Sequence, residues 1–394
     1  MIIIFYIFAV LLIYLSYRSF RSGFDYLNYF RRELAKPRSE YLPFVTIIAP
    51  CKGLDPGLTE NFTGLMHQDH GEYEVLFVVD DASDPAASVI EDVWQQSNKH
   101  VKLIVAAKAV DSGQKVENLR EGVIHADERS EVFVFVDSDA RPSAAWLQDL
   151  IAPLADGRVG AATGYRWFVS ERASFASEMR SAWNASIASA LGPDSTSNFC
   201  WGGSTAIRRE TFERLNIRER WAGTLSDDFT LTRAIREAEL PIVFVPQALT
   251  PAFGTCGLRE LLEFTNRQMK ITRVYAPHLW KMSLFGSAVF NSVIIAAVFL
   301  MLFSGGSMSF WAAVVTLALV SFFSIGKSWL RMRAVRLVIP GLLSAKQYLP
   351  QLTLWLPTPA LFLINCLAAL VSRRITWRGV DYELLSPQQT RRLD

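Results

Sequence analysis

Apolar positions along the chain fall into two patterns. Four stretches are long and almost wholly apolar: Met1 to Tyr17, Ser283 to Phe303, Phe310 to Ile325, and Gln347 to Val371. About 20 consecutive apolar residues span a bilayer, so the first three predict membrane-spanning helices. The fourth is interrupted by Pro350, Pro357 and Pro359, and either crosses or turns back at the proline pair. Between Phe44 and Leu258 the apolar runs are instead short and separated by amphipathic, charged segments. Val45 to Ala49, Tyr73 to Val79, Val101 to Ala106 and Val132 to Val136 read as buried strands, and Pro85 to Ser97 and Lys115 to Ala126 as crossover helices. Continuous apolar runs alternating with helices predict an α/β domain whose parallel sheet is covered on both faces.

These patterns divide the chain into a membrane anchor at 1–20 and an α/β domain at 40–258. An interfacial amphipathic segment at 259–282, rich in Arg, Lys and aromatics, leads to two transmembrane helices at 283–325. A basic cytosolic loop at 326–346, a third C-terminal membrane segment at 347–371 and a cytosolic tail at 372–394 complete the division.

Charge sets the orientation. The net charge of +2 provides no global basic field and argues against a nucleic-acid partner. The cations instead flank the apolar spans: Arg18, Arg21, Arg31 and Arg32 after the first, Lys327, Arg331, Arg333 and Arg336 after the third, and Arg373, Arg374 and Arg378 after the last. The positive-inside rule places all three flanks, and the α/β domain, in the cytosol. A full fourth crossing would put Arg373 and Arg374 outside, which is why a re-entrant hairpin at 347–371 is one solution. The first stretch has no basic residues before it and no small-residue cleavage site after it, so it reads as a retained anchor and not a secretory signal. Four scattered cysteines form no CxxC pair and indicate neither a zinc site nor a disulfide framework.

Chemistry is concentrated where strands end. In parallel α/β sheets ligands gather at the carboxyl ends of strands, and here two strands end in acidic pairs, Asp80-Asp81 and Asp137-Ser138-Asp139. A single strand-end Asp is commonly a turn former or helix cap; two in one sheet point to a shared site. Asp137 and Asp139 can reach one hard cation, and Mg²⁺ or Mn²⁺ commonly joins such carboxylates to substrate phosphates. Asp228, opening the helical run after Leu225-Ser226-Asp227, is a candidate general base.

In order along the chain, Pro50-Cys51-Lys52-Gly53-Leu54-Asp55-Pro56, the run from Tyr73 to Asp81 with Asp84-Pro85, Lys115 with Asn118-Leu119, the DxD at Asp137, Gly202-Gly203-Ser204 with Arg208 and Arg209, and Ser226-Asp227-Asp228 resemble the motifs of family 2 inverting glycosyltransferases. Within that family they resemble the ceramide glucosyltransferase-like branch, which includes bacterial hopanoid-associated glycosyltransferases. The resemblance implies a Rossmann-like, GT-A type nucleotide-sugar domain and a UDP-sugar donor whose anomeric carbon is inverted. It implies uridine contact at Asp81, nucleotide-sugar contacts at Lys52, Lys115 and Asn118, metal and diphosphate binding at Asp137 and Asp139, and catalysis at Asp228. An ordinary exposed lysine is an equally good reading of Lys52. The family's (Q/R)-x-x-R-W element corresponds to Arg267-Gln268-Met269-Lys270-Ile271, where Lys and Ile replace Arg and Trp. Arg267, Lys270 and Arg273 remain expected cations for the leaving diphosphate. The missing Trp argues for a single transfer over processive polymerisation.

Anchoring on both sides of the catalytic segment suggests a membrane lipid as acceptor. The expectation is an integral membrane enzyme, in a bacterial inner membrane, with its catalytic domain cytosolic. A polysaccharide synthase and a non-catalytic scaffold are the alternatives; the retained acids oppose the scaffold, and spans without intramembrane charges along a path oppose a transporter.

Overall fold

The computed structural model describes residues 2–95, 100–341 and 345–393. It separates into two compact units. One contains 1–31, 172–189 and 255–372; the other contains 32–171, 190–254 and 373–394. The division is not linear: a helical insert of the central segment groups with the membrane helices, and the last residues group with the α/β fold.

The α/β unit carries a seven-stranded sheet: β1 (Val45–Pro50), β2 (Tyr73–Val79), β3 (His100–Val105), β4 (Val132–Val136), β5 (Ala161–Val169), β6 (Ser204–Arg208) and β7 (Ile242–Phe253), in the order β3-β2-β1-β4-β6-β5-β7. The four strands expected from the apolar runs form one parallel block: β1 pairs with β2 and β4, and β2 with β3. The other three complete the sheet, with β6 antiparallel to both β4 and β5 and β5 parallel to β7. Their sequences hide them, because buried Thr163, Ser204, Thr205 and Thr250 break the apolar signal.

Both faces of the parallel block are covered. Ile47, Val75 and Val134 point into one core with Phe62 and Trp146, while Ile48, Leu76, Phe133 and Phe135 point into another with Leu119, Phe212 and Trp221. Each such buried aliphatic or aromatic side chain contributes about 1.5–3 kcal/mol. Helices Leu58–Met66, Pro85–Gln95, Gln114–Ile124 and Asp227–Glu237 start at or near the carboxyl ends of the strands; the expected end of the second beyond Gln95 lies outside the described residues. Gly122 lets its helix sit against β1, since a Cβ there would lie 2.6 Å from Ile48.

The stretch 372–394, expected as a tail, is instead folded. β8 (Arg374–Trp377), β9 (Val380–Ser386) and β10 (Gln389–Arg392) make an antiparallel sheet within the α/β unit. Arg378 and Gly379 form the two-residue turn between β8 and β9 with φ of 52° and 78°, the conformation of a primed hairpin turn. The Tyr382 hydroxyl accepts from the Gln114 backbone N–H at 3.2 Å, and Arg392 donates to the Ala109 carbonyl at 3.3 Å.

In the membrane unit, three helices are long and apolar enough to cross a bilayer: Ile2–Leu34, Pro277–Phe303 and Met308–Val338. The segments Gln347–Thr353 and Thr358–Val371 bend by 72° where the prolines stand. The stretch 326–346 differs from the loop expected there: the third long helix carries Lys327, Arg331 and Arg333 in helical register as far as Val338. Helix Phe175–Ala188 is capped by Ser174 and stacks Trp183 on Phe362 at 5.0 Å. Helix Leu258–Tyr275 starts with Glu260 accepting from the Gly257 backbone N–H at 2.8 Å.

Candidate active site

The parallel strands end in two acidic clusters of unlike construction. At the end of β2 each acid has its own donors. Asp80 pairs with Lys52 at 2.5 Å, with its second oxygen left over. Asp81 accepts from the Ser83 backbone and hydroxyl at 3.0 and 2.8 Å and pairs with Lys108 at 3.2 Å. The Ser83 bonds, then Lys108, hold the exposed Asp81 carboxyl down at about 2. Asp84 accepts from the backbone N–H groups of Gly53 and Ala86, both at 2.9 Å. Asn118, expected at the nucleotide, is buried beneath this strand end, donating to the Val78 carbonyl at 3.0 Å and accepting from Gln114 at 2.9 Å. Its amide braces β2.

At the end of β4 the acids share cations. Lys115 lies between Asp137 at 2.7 Å and Asp227 at 3.3 Å. Burial opposes its charge, yet the carboxylates of Asp137 and Asp227 outweigh burial and hold the ammonium above its ordinary range. Arg166, from β5, pairs with Asp139 at 3.4 Å. Asp55 accepts from the Ser138 hydroxyl at 2.6 Å and pairs with Arg378 at 2.6 Å. The DxD turn is thereby held by its middle residue, and each outer carboxylate keeps one oxygen outside its ion pair.

Electrostatics drives Asp137 and Asp139 apart. Burial pushes both up, but at Asp137 the nearby Lys115 and Arg166 prevail and the net direction is down. At Asp139 burial prevails, assisted by repulsion from Asp137, and the net direction is up. Asp139 Oδ1 is buried without a hydrogen-bond partner among the described residues. Such an orphaned acceptor costs about 1–3 kcal/mol unless something fills it.

Two glycines explain how these elements approach so closely. A Cβ on Gly202 would lie 2.0 Å from Asp227 Oδ2, and one on Gly203 would lie 2.6 Å from Asp137 Oδ2. The Gly202-Gly203-Ser204 motif therefore serves to bring the β4 turn beside the helix Asp227–Glu237. Asp227 faces inward to Lys115, and burial together with the charges of Asp228 and Asp137 pushes it up to about 6 despite that lysine. Asp228 accepts from the Ser226 hydroxyl and from the Phe229 backbone N–H, both at Oδ1. Oδ2 makes no hydrogen bond among the described residues and is open to accept one.

The residues expected at a metal pass a test of fit. Asp55, Asp137, Asp139, Asp227 and Asp228 against Lys115, Arg166 and Arg378 leave a formal surplus of two negative charges. Among the described residues no three His, Cys, Asp or Glu side chains converge as a closed metal cage. Two carboxylates with one orphaned oxygen make the smaller donor set from which Mg²⁺ is held when substrate phosphates supply other ligands.

Asp55, Arg166, Asp227 and Arg378 were not singled out as site residues from sequence. Asp227 neighbours Asp228, and Asp55 lies within the first motif, so both carried a local signal; Arg166 and Arg378 carried none beyond charge. Arg267, Lys270 and Arg273 belong to the membrane unit. There Arg273 donates to the carbonyls of Ala369 and, at 3.0 Å, Leu370, closing the end of helix Thr358–Val371. Arg267 lies over the Phe264 ring at 5.6 Å, and burial draws Lys270 below its ordinary range.

Comparison with known proteins bears on the fold and the family. A mannosyltransferase from Pyrobaculum calidifontis, solved with GDP-Man and Mn²⁺, superposes with a TM-score of 0.53 at 19% identity, covering 84% of this chain and 97% of its own. At that identity the likeness establishes the GT-A fold. Ceramide glucosyltransferase of Candida albicans is 28% identical over 123 residues, which is 28% of this chain and only 22% of that enzyme's length. The profile of glycosyl transferase family 21 matches residues 4–390, and with nearly the whole sequence covered the chain belongs to that family.

Proposed function

We propose that the protein transfers one sugar, with inversion, from a UDP-sugar to a hydroxyl of a membrane lipid at the cytosolic face. The observation that carries this reading is the β4 cluster: an orphaned Asp139 oxygen beside Asp137, facing a helix start whose Asp228 keeps one oxygen free. Asp137 and Asp139 would hold Mg²⁺ or Mn²⁺, which as a Lewis acid offsets the charge that develops on the departing diphosphate. The Mn²⁺ and GDP-Man bound by the Pyrobaculum enzyme support a metal and a nucleoside diphosphate sugar. Uridine and a lipid acceptor are supported by the motif resemblance and by the ceramide glucosyltransferase relative.

The protein's own groups divide the work. Lys115 keeps Asp137 ionised and fixes it against Asp227. Arg166 and Arg378 add positive charge around the DxD turn. Asp228 Oδ2 takes the acceptor's hydroxyl proton as the hydroxyl oxygen bonds to the anomeric carbon and the bond from that carbon to the diphosphate oxygen breaks. Proton removal of this kind is worth about 10²–10⁴ in rate. The sequence at Lys270-Ile271 supports a single addition.

The test is mass spectrometry of lipids from membranes carrying the full chain, supplied with UDP-sugars or GDP-sugars, with Asp228→Asn as control. A lipid heavier by one sugar, formed from a UDP-sugar and missing with Asp228→Asn, is expected. Transfer only to soluble acceptors, or addition of many sugars, would overturn the reading.

A further inference from the structure

A cavity of about 620 Å³ lies inside the membrane unit, and its wall is not uniformly apolar. The wall residues change character along each helix. Leu12 precedes Ser16 and Ser19 on the first helix, Ser283 and Ser287 precede Phe290 on the second long helix, and Phe323 precedes Lys327 and Arg331 on the third. Lys327 donates to the Ser19 hydroxyl at 2.7 Å, which joins two of the polar ends. The result is an amphipathic chamber with cations at one end, and its volume falls within the usual range of about 300–1,000 Å³ for ligand sites.

Among the described residues the cations have no counter-charge. No wall residue is acidic, and neither Lys327 nor Arg331 has an ion pair among the described residues. Arg331 is 7% exposed, its Nε is buried without a hydrogen-bond partner, and its other contacts are Ser328 at 3.5 Å and Gln351 at 3.4 Å. A buried, unpaired guanidinium is costly. Neighbouring cations on the same helix show the inexpensive arrangement: Arg333 and Arg336 are exposed, lying against Trp329 at 4.9 Å and Tyr348 at 6.0 Å, as side chains reaching for water do. Arg331 points inward instead.

Depth identifies the missing anion. The helix Met308–Val338 has 31 residues, whereas the hydrocarbon layer takes about 20. If its apolar start marks one edge, Lys327 and Arg331 fall at the opposite headgroup level, where lipid phosphates lie.

We infer that this cavity binds one membrane lipid with an anionic phosphate head, held by Lys327 and Arg331, with its chain along the Leu12 and Phe290 side. What the chamber's cations select is the phosphate and not a reacting hydroxyl. The inference does not depend on sugar transfer.

Native mass spectrometry of the delipidated full chain tests it, with three probes: a short-chain phosphatidic acid, the diacylglycerol with the same chains, and inorganic phosphate. Phosphatidic acid is expected to bind one to one, diacylglycerol at least about 10-fold and inorganic phosphate at least about 100-fold more weakly, since head and chain contribute jointly. Lys327→Gln with Arg331→Gln should weaken phosphatidic acid at least about 10-fold, and Lys327→Arg alone should retain binding, since a guanidinium keeps the charge and binds phosphate. Gly286→Leu supplies a second route that removes no charge: Gly286 lines the cavity and a Cβ there meets nothing within 4 Å, so the leucine fills the space and should also weaken binding. Equal binding of the two lipids, inorganic phosphate as tight as phosphatidic acid, or phosphatidic acid binding unmoved by Gly286→Leu would each overturn the inference.

Discussion

The ends of β2 and β4 look alike as sequence, each an apolar run closing on two aspartates, yet they are put to different uses. At β2 the acids are distributed one to a partner: Asp80 to Lys52, Asp81 to Ser83 and Lys108, Asp84 to two backbone N–H groups. At β4 one lysine serves two carboxylates; a buried carboxylate oxygen without a donor among the described residues is common to both ends, Asp80 Oδ1 at one and Asp139 Oδ1 at the other. Strand-end acids become a site when their charge is left uncompensated, and neighbouring elements decide that. Gly202 and Gly203 bring Asp227 and Asp228 to β4, and among the described residues no such glycine pair adds acids to β2.

Substitutions can break this comparison. Asp228→Asn has the largest expected effect, a fall in kcat of about 10²–10⁴ with donor binding retained; a changed KM at constant kcat would contradict its role as base. Asp139→Asn should lower kcat/KM by about 10²–10³ and abolish any response to added Mn²⁺, read from metal titrations. Arg378→Gln releases Asp55 and removes a cation from the cluster; a rise of about 10-fold in the donor KM, or about 1.4 kcal/mol, is expected.

A pH titration addresses the cluster without an activity assay. Asp227 is pushed up to about 6 in the fold against an ordinary 3.8. Between those values the folded form holds a proton that the unfolded chain has lost. Metal-free protein should therefore lose stability as pH rises from about 4 to about 6, by at most about 1.4 kcal/mol per pH unit, and level off above. Asp227→Asn should remove that slope in thermal melts. Asp81→Asn should have the smallest effect, within about threefold in kcat/KM, because exposed ion pairs are worth about 0–1 kcal/mol. A tenfold rise in donor KM would show that the nucleotide draws Asp81 away from Lys108 and would erase the distinction between the strand ends.

How much was legible follows the same physics. β1 to β4 were readable because strands covered on both faces are continuous apolar runs. β5 to β7 carry Thr163, Arg166, Gln247 and Thr250, and an apolar-run search passes over them. Asp137, Asp139 and Asp228 could be found from their places at element ends. Lys115 was expected at the donor, but sequence could not reveal that it bridges Asp137 and Asp227, because pairing across distant segments has no local pattern. The C-terminal sheet did leave a trace: an Arg-Gly turn between the alternating Arg374-Ile375-Thr376-Trp377 and Val380-Asp381-Tyr382-Glu383-Leu384 is a hairpin signature.

The grouping of 373–394 with the α/β unit also bears on how the protein is made. Domains ordinarily fold as they emerge during synthesis, N-terminal parts first. Here the hairpin that carries Arg378 leaves the ribosome after the three long apolar helices. The catalytic unit thus waits, one cation and one small sheet short, until the whole membrane segment has been delivered. A chain stalled or cut within that segment lacks the Arg378–Asp55 pair and the small sheet that docks on Gln114 and Ala109, so completion of the α/β unit is tied to delivery of the membrane helices.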